Sequence, residues 1–188
     1  EPNDSIERYT ELGVDCIQGE AKIISPWEVE VNGQQISARN IVIATGGRPT
    51  VPDIPGLENT GYHTSDTIWQ LEHLPKKLVV VGGGPIGCEL AQAFSRLGSE
   101  VTMVVRSQLL PKEDEDVAAA VQAQFESEGI LIISQATILS LQQVGQERSV
   151  SLTVSDGENF SVSYDEILLA VGRTANTDNI GLDSVGIN

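Results

Sequence analysis

Gly82, Gly84 and Gly87 form a G-x-G-x-x-G set between an apolar run, Leu78-Val79-Val80-Val81, and an amphipathic stretch opening Pro85-Ile86. That spacing suits a pyrophosphate. The first glycine permits a tight turn out of a strand, the second lets the backbone approach the phosphates, and the third lets a helix pack close to the strand. N–H groups at the helix start, at the positive end of its dipole, would receive the phosphate oxygens. Pro85 suits the first helical turn, and Gly83 and Ile86 complete the wrap. A second chemical signal lies downstream. Dinucleotide sites that prefer NAD place Asp or Glu at the end of the second strand, on the ribose hydroxyls. Here Val105 holds that position, followed by Arg106, with Lys112 six residues on. A guanidinium grips a phosphate bidentately where a carboxylate would repel it, so NADP is expected in preference to NAD.

Other reactive side chains are sparse. Cys16 and Cys88 are the only cysteines, and they have neither C-x-x-C nor zinc-ligand spacing. Cys88 falls in the first turn of the fingerprint helix, where a thiol pKa can drop, but a small packing residue is the better reading. His63 and His73 stand alone, and nothing marks either as a catalytic base. The run Glu113-Asp114-Glu115-Asp116 reads as a favourable charge cluster at a helix start, not a metal site. No catalytic residue and no metal ligand is assigned.

The 188 residues carry 11 basic and 27 acidic side chains, a net charge of −16, and 40% are hydrophobic, enough for a sizeable core. The charge argues against nucleic acid and anionic membranes as partners. No apolar run reaches transmembrane length, and no secretory leader pattern is visible. The sequence opens at Glu1 without Met, which reads as a piece of a longer protein. A cytoplasmic location is expected.

Placing these residues falls to the elements around them. Asp4 to Leu12 reads as the end of a helix, with Asp4 and Glu7 at capping-box spacing. Val14 to Ile24 reads as a strand, Trp27 to Val31 alternates with period two, and Asn32-Gly33 signals a hairpin. Gln35 to Ala44 returns as a strand running into Thr45-Gly46-Gly47. A Pro-punctuated connector covers Arg48 to Leu57, and Ser65 to Leu71 reads as a short helix. The fingerprint helix should bury Ile86, Leu90, Ala93, Phe94 and Leu97 and stop at Gly98, before a strand over Glu100 to Val105. A second helix, starting in the acidic run, should bury Val117, Ala120, Val121 and Phe125 and end at Gly129. Ile130 to Ser134 is a third strand of parallel type. A meander follows, Ala136 to Val144, Ser149 to Ser155 and Asn159 to Tyr164, with Asp156-Gly157 at one hairpin. Glu166 to Val171 should rejoin the parallel sheet.

One internal echo stands out. Ile41-Val42-Ile43-Ala44-Thr45-Gly46-Gly47-Arg48 resembles Ile167-Leu168-Leu169-Ala170-Val171-Gly172-Arg173, and each run follows a meander. A duplicated dinucleotide-binding architecture explains both. The order is a meander, A-T-G-G-R-P with V-P-x-I-P-G, L-P-K-K-L-V-V-V-G-G-G-P-I-G-C-E-L-A-Q-A-F, a second meander, and A-V-G-R-x-x-N-T. It resembles the class I pyridine nucleotide–disulfide oxidoreductases: glutathione reductase, dihydrolipoamide dehydrogenase and mercuric reductase. The fingerprint helix and Val101 to Asp114 look most like the mercuric reductase branch.

The resemblance implies an α/β, Rossmann-like FAD/NAD(P)-binding fold, a parallel sheet with helices on one side and a three-stranded β-meander on the other. It implies an NAD(P)-binding domain over residues 74–172, flanked by pieces of an FAD domain, 1–73 and 173–188. In the whole enzyme, an FAD-dependent oxidoreductase, hydride would pass from NADPH to FAD and on to a disulfide or related acceptor. The chain alone lacks the family's redox cysteines and is expected to be inactive. The family pattern also implies a homodimer formed through a C-terminal domain. By the same resemblance Glu89 should lie near the nicotinamide, Lys112 should be a second cation, Ile138 should line the adenine pocket, and Gly172 should touch the dinucleotide through its backbone. Glu20, Ala21, Thr45, Gly46 and Gly47 should lie against FAD. Pro85 stands where several relatives carry Tyr over the nicotinamide, which implies a more open site, and Ala175 replaces the usual Pro of the G-R-x-P-N-T segment. The competing reading is a non-catalytic dinucleotide-binding or regulatory module.

Overall fold

Leu78, Val79, Val80 and Val81 are all buried, which a strand achieves only when both faces of its sheet are covered. The structure is a computed structural model and describes residues 5–187. Its elements run α1 (Ile6–Glu11), β1 (Ala21–Ser25), β2 (Glu28–Val31), β3 (Gln34–Ser37), β4 (Gly47–Pro49), α2 (Leu57–Thr60) and β5 (His63–Thr64), then a 3₁₀ turn at Ile68–Gln70. They continue as β6 (Lys77–Val81), α3 (Pro85–Leu97), β7 (Glu100–Val104), α4 (Glu115–Ser127), β8 (Leu131–Ile133) and β9 (Ala136–Val144). Last come β10 (Glu147–Val154), β11 (Asn159–Tyr164), β12 (Glu166–Leu169), β13 (Arg173–Ala175) and a 3₁₀ turn at Leu182–Val185. Contacts group them into one unit of residues 48–174 and a second from the chain before and after it.

In the larger unit β5, β12, β6, β7 and β8 lie side by side in that order as a parallel sheet. Side chains alternate across it. On one face Leu78, Val80, Val101, Met103 and Leu168 meet Cys88, Leu90, Ala91 and Phe125 of α3 and α4. On the other, Val79, Val81, Val104, Ile167 and Leu169 meet Leu141, Val150, Leu152 and Tyr164 of the antiparallel meander β11-β10-β9. Helices on one side and a meander on the other is the α/β arrangement expected. Residues 48–73 pack within this unit: Leu57 joins the meander-side core, Ile68 the helix-side core, and β5 edges the parallel sheet.

In the smaller unit β1, β2 and β3 form an antiparallel meander. Asn32 (φ 53°) and Gly33 (φ 77°) supply the left-handed pair that a two-residue hairpin needs. Ile23 donates its N–H to the Ile180 carbonyl at 2.8 Å and accepts from Ser184 Oγ at 3.0 Å, which fastens the C-terminal 3₁₀ turn to β1.

Several elements differ from expectation. The first strand starts only at Ala21, because β2 has four residues before its turn and offers nothing opposite 14–20. There the Asn32 side chain bonds the Gln18 carbonyl instead. Ile41–Ala44 forms no ladder among the described residues, and Val42 is 85% exposed. Ser65–Leu71 condenses to a 3₁₀ turn, with the Thr67 hydroxyl accepting from Thr64 N–H. α3 buries Gly87, Cys88, Leu90 and Ala91 and packs Ile86 and Phe94 on the same core, as expected, but leaves Ala93 and Leu97 exposed, the close approach at Gly87 bringing its own side of the helix to the sheet. In α4 the buried positions are Ala118 and Phe125, while Val117 and Ala120 are exposed. Ser5 caps α1, accepting from Arg8 N–H at 3.2 Å; the Asp4 cap lies outside the described residues.

Candidate functional site

The three fingerprint glycines have different physical reasons to be glycine. Gly82 leaves β6 at φ +117°, and a Cβ there would strike the Ala170 carbonyl. Gly87 is buried in the first turn of α3, and its Cβ would strike the Gly82 carbonyl. Both are forced by how closely helix, turn and sheet approach. Gly84 is different. Its backbone (φ −78°, ψ 175°) suits any residue, and nothing lies within 4 Å of where its Cβ would be. The missing side chain keeps space open at the start of α3. Gly84 is the N-cap and makes no side-chain cap bond, Pro85 follows, and the N–H groups of Ile86 and Gly87 have no acceptor one turn back. Open space before a set of outward N–H groups fits a dinucleotide pyrophosphate.

Gly83 joins this turn to the next segment. Its Cβ would lie 2.8 Å from Val105 Cγ1 and 3.0 Å from the Gln108 carbonyl, and its own carbonyl accepts from Leu110 N–H at 2.7 Å. Arg106 and Lys112, both exposed, flank that contact. Val105 is only 1% exposed and belongs to the helix-side core, so it covers the turn and does not face solvent. Ala136 N–H bonds the Val105 carbonyl, which puts the start of β9 beside Arg106. Ile138, half-buried two residues on, packs on the meander-side core. Gly172 (φ +138°) follows β12 at the same end of the sheet and accepts from Thr50 N–H at 3.0 Å. Phosphate turn, Arg106 segment and Gly172 thus meet at the carboxyl ends of β6, β7 and β12, where open α/β sheets bind ligands.

Glu89 projects elsewhere, into a cleft of about 400 Å³ between α3 and α4, with Pro85, Cys88, Leu110, Val117 and Val121. Cys88 is a packing residue: its Sγ lies 3.6 Å from the Gly83 carbonyl, and burial, then the nearby Glu89 charge, push its thiol up to about 11. Arg96 clamps the far end of the helix pair, donating Nη2 and Nε to Glu128 at 2.6 and 3.0 Å. His63 has a structural partner, Glu166 at 3.2 Å, which also receives Arg148 at 3.0 Å.

The residues expected against FAD lie in the smaller unit. Glu20, Ala21, Thr45 and Gly46 are exposed and Gly47 is half-buried. The A-T-G turn is clipped by Asn176. Asn176 N–H bonds the Gly46 carbonyl at 3.0 Å, its side-chain amide bonds the Thr45 carbonyl at 3.0 Å, and Thr45 Oγ1 donates to the Asn176 carbonyl at 2.6 Å. Sequence reading missed Asn176 as the clip, though its signal was present in the paired echo of A-T-G and G-R-T-A-N-T. It also missed Leu110, which carries no compositional signal. No helix among the described residues is long and apolar enough to cross a membrane.

Comparison with known proteins gives the family and the fold. The pyridine nucleotide-disulphide oxidoreductase family model matches residues 1–188. A mercuric reductase of Lysinibacillus sphaericus is 41% identical over 185 residues, 98% of this chain and 33% of the relative. A glutathione reductase of Nostoc sp. is 36% identical over 177 residues, 94% of this chain and 38% of the relative. The solved structure of an HOCl-induced flavoprotein disulfide reductase from Escherichia coli superposes with a TM-score of 0.80 at 31% identity, covering 97% of this chain and 42% of that one. The chain spans about a third of the length of such curated relatives.

Proposed function

The chain belongs to the pyridine nucleotide–disulphide oxidoreductase family, and on that premise we propose that residues 74–172 are the NADPH-binding domain of an FAD-dependent oxidoreductase. Residues 1–47 and 175–188 are then portions of its FAD domain, and residues 48–73, expected there too, pack with the NADPH-binding unit. When bound, the cofactors supply the chemistry, hydride passing from nicotinamide to flavin and on to a disulfide or related acceptor. This chain's residues place them. Ile86 and Gly87 donate N–H groups to the pyrophosphate, Gly84 leaves the room for it, and Gly82, Gly83 and Pro85 shape the turn. Arg106 and Lys112 hold the 2′-phosphate. Ile138 lines the adenine pocket and Gly172 offers its backbone, while Glu89, expected near the nicotinamide, opens instead into the α3–α4 cleft. Glu20, Ala21, Thr45, Gly46 and Gly47 take the FAD side. The whole protein acts in the cytoplasm as a homodimer.

The observation that carries this reading is the contrast among the glycines: two are jammed against backbone, and Gly84 alone faces open space at a helix start. The test is calorimetric titration of NADPH and NADH into the 188-residue chain, then into Arg106→Ala and Lys112→Ala. A charge-assisted hydrogen bond of about 1.5–3 kcal/mol to the 2′-phosphate predicts a preference for NADPH of roughly ten- to a hundredfold. Arg106→Ala should lose most of it. Equal affinities in the unsubstituted chain refute the NADPH assignment.

A further inference from the structure

Leu110 occupies a conformation that a branched aliphatic residue rarely adopts. Its φ is +46°, in the left-handed region, where Gly and Asn are at ease and a large side chain is not. Such residues persist where surroundings over-determine them, and they gather at ligand clamps. Here the surroundings can be named. Leu110 N–H donates to the Gly83 carbonyl at 2.7 Å, and its own carbonyl accepts from Glu113 N–H at 3.0 Å. Its half-buried side chain packs on the helix-side core and lines the α3–α4 cleft beside Pro85 and Val117. That burial offsets the backbone's cost.

The segment Leu110 ends is the one that carries Arg106. At its other side a second left-handed residue, Gln135 (φ 54°), donates its N–H to the Ser107 carbonyl at 3.3 Å and accepts from Ser155 Oγ at 2.8 Å. The Arg106–Leu110 segment is therefore fastened to the phosphate turn at one end and to the β8–β9 connection at the other. Both fastenings are backbone hydrogen bonds made by residues held in an uncommon conformation.

We propose that Leu110 is a positioning residue for nucleotide selection: its left-handed backbone and its bond to Gly83 hold Arg106 and Lys112 in register with the phosphate turn, without touching the nucleotide. A site fixed before binding loses less freedom on binding. The inference rests on the proposed role of Arg106 and Lys112 at the 2′-phosphate.

Two substitutions separate backbone from side chain. Leu110→Val is β-branched and resists the left-handed region, so it should pull the segment off Gly83. Leu110→Gly keeps the conformation and the N–H at no steric cost. The readout is the ratio of NADH to NADPH dissociation constants, measured by calorimetry on the 188-residue chain. A role in overall stability alone would weaken both nucleotides alike. Leu110→Val should lower the ratio at least threefold, toward that of Arg106→Ala, with NADH affinity within about twofold of the unsubstituted chain. Leu110→Gly should keep the ratio. Amide exchange at position 110 should be protected in the unsubstituted chain and in Leu110→Gly, and fast in Leu110→Val. If Arg106→Ala lowers the ratio and Leu110→Val does not, the positioning role is overturned and the cofactor reading stands. If Leu110→Gly loses the ratio as Leu110→Val does, the backbone is not what positions the segment. A ratio near one in the unsubstituted chain, or one that Arg106→Ala leaves unchanged, overturns both.

Discussion

Replacing Gly84 with Val should abolish dinucleotide binding and spare the fold, whereas the same change at Gly87 should do the reverse in order of severity. At Gly84 the backbone angles already suit Val and no atom lies within 4 Å of the new Cβ. Two small effects on stability oppose each other. Losing glycine's freedom in the unfolded chain stabilises by about 0.4–1 kcal/mol. An apolar residue at an N-cap costs about 0.5–2 kcal/mol relative to a good cap. The net is a loss of about 1 kcal/mol or less, or about 2–4 °C in a chain of this size. Binding is another matter. The side chain would stand where the pyrophosphate must sit, removing its bonds to Ile86 and Gly87 N–H. Two charge-assisted bonds at about 1.5–3 kcal/mol each amount to about 3–6 kcal/mol, or roughly 10²–10⁴ in affinity. At Gly87 a Cβ meets the Gly82 carbonyl and approaches Ala170 Cβ at 3.4 Å. Overpacking there should cost about 1–3 kcal/mol for Ala and more for Val. Calorimetry with NADPH and a thermal melt on each variant give both numbers. Gly84→Val binding like the unsubstituted chain, or melting as early as Gly87→Val, refutes the division of labour.

Other outcomes follow from the same structure. Cys16 is exposed and Cys88 is buried with its thiol pushed up to about 11 from 9.0, so a thiol reagent in mildly alkaline buffer should label Cys16 alone until the chain is unfolded. The Cys88 contribution to stability is whole below the ordinary thiol value and is lost as pH rises toward 11; Cys88→Ala should flatten that alkaline limb. Hydrogen bonds from Arg96, then Gln124, hold the Glu128 carboxyl at about 2 against an ordinary 4.5. Its stabilisation is present above pH 4.5 and lost as pH falls toward 2, so Glu128→Gln should melt earlier at neutral pH and show a shallower acid limb. Arg148→Met removes the bonds to Glu166 and to the Thr60 carbonyl, leaving a half-buried carboxylate beside His63. It should cost about 1–3 kcal/mol by chemical denaturation, with NADPH affinity unchanged.

The sequence made the phosphate turn legible because three signals coincide at one place: an apolar run, glycines at fixed offsets and a helical face. The meanders were legible from period-two alternation and from Asn32-Gly33. Apolar runs alone were less informative. Ile41–Ala44 and Ile167–Ala170 read alike, yet Glu166–Leu169 is laddered between two neighbours while Ile41–Ala44 has none among the described residues. Pairing is a property of what lies alongside, which no local pattern encodes. The face of α3 was legible in part: Ile86, Leu90 and Phe94 pack on the helix-side core, while Ala93 and Leu97 are exposed and Gly87, Cys88 and Ala91 are buried in their place. Leu110 was invisible, because a left-handed leucine is favoured only by tertiary contacts that override its own preference.

The most direct test of a dinucleotide held at this turn is a titration of the ¹⁵N-labelled 188-residue chain with NADPH, followed by amide chemical shift. Saturable shifts should be largest at Gly84, Ile86 and Gly87, extend to Arg106, and be absent in Gly84→Val. Nucleotide binding that leaves those amides still, with its shifts gathered elsewhere, would contradict the assignment of the site.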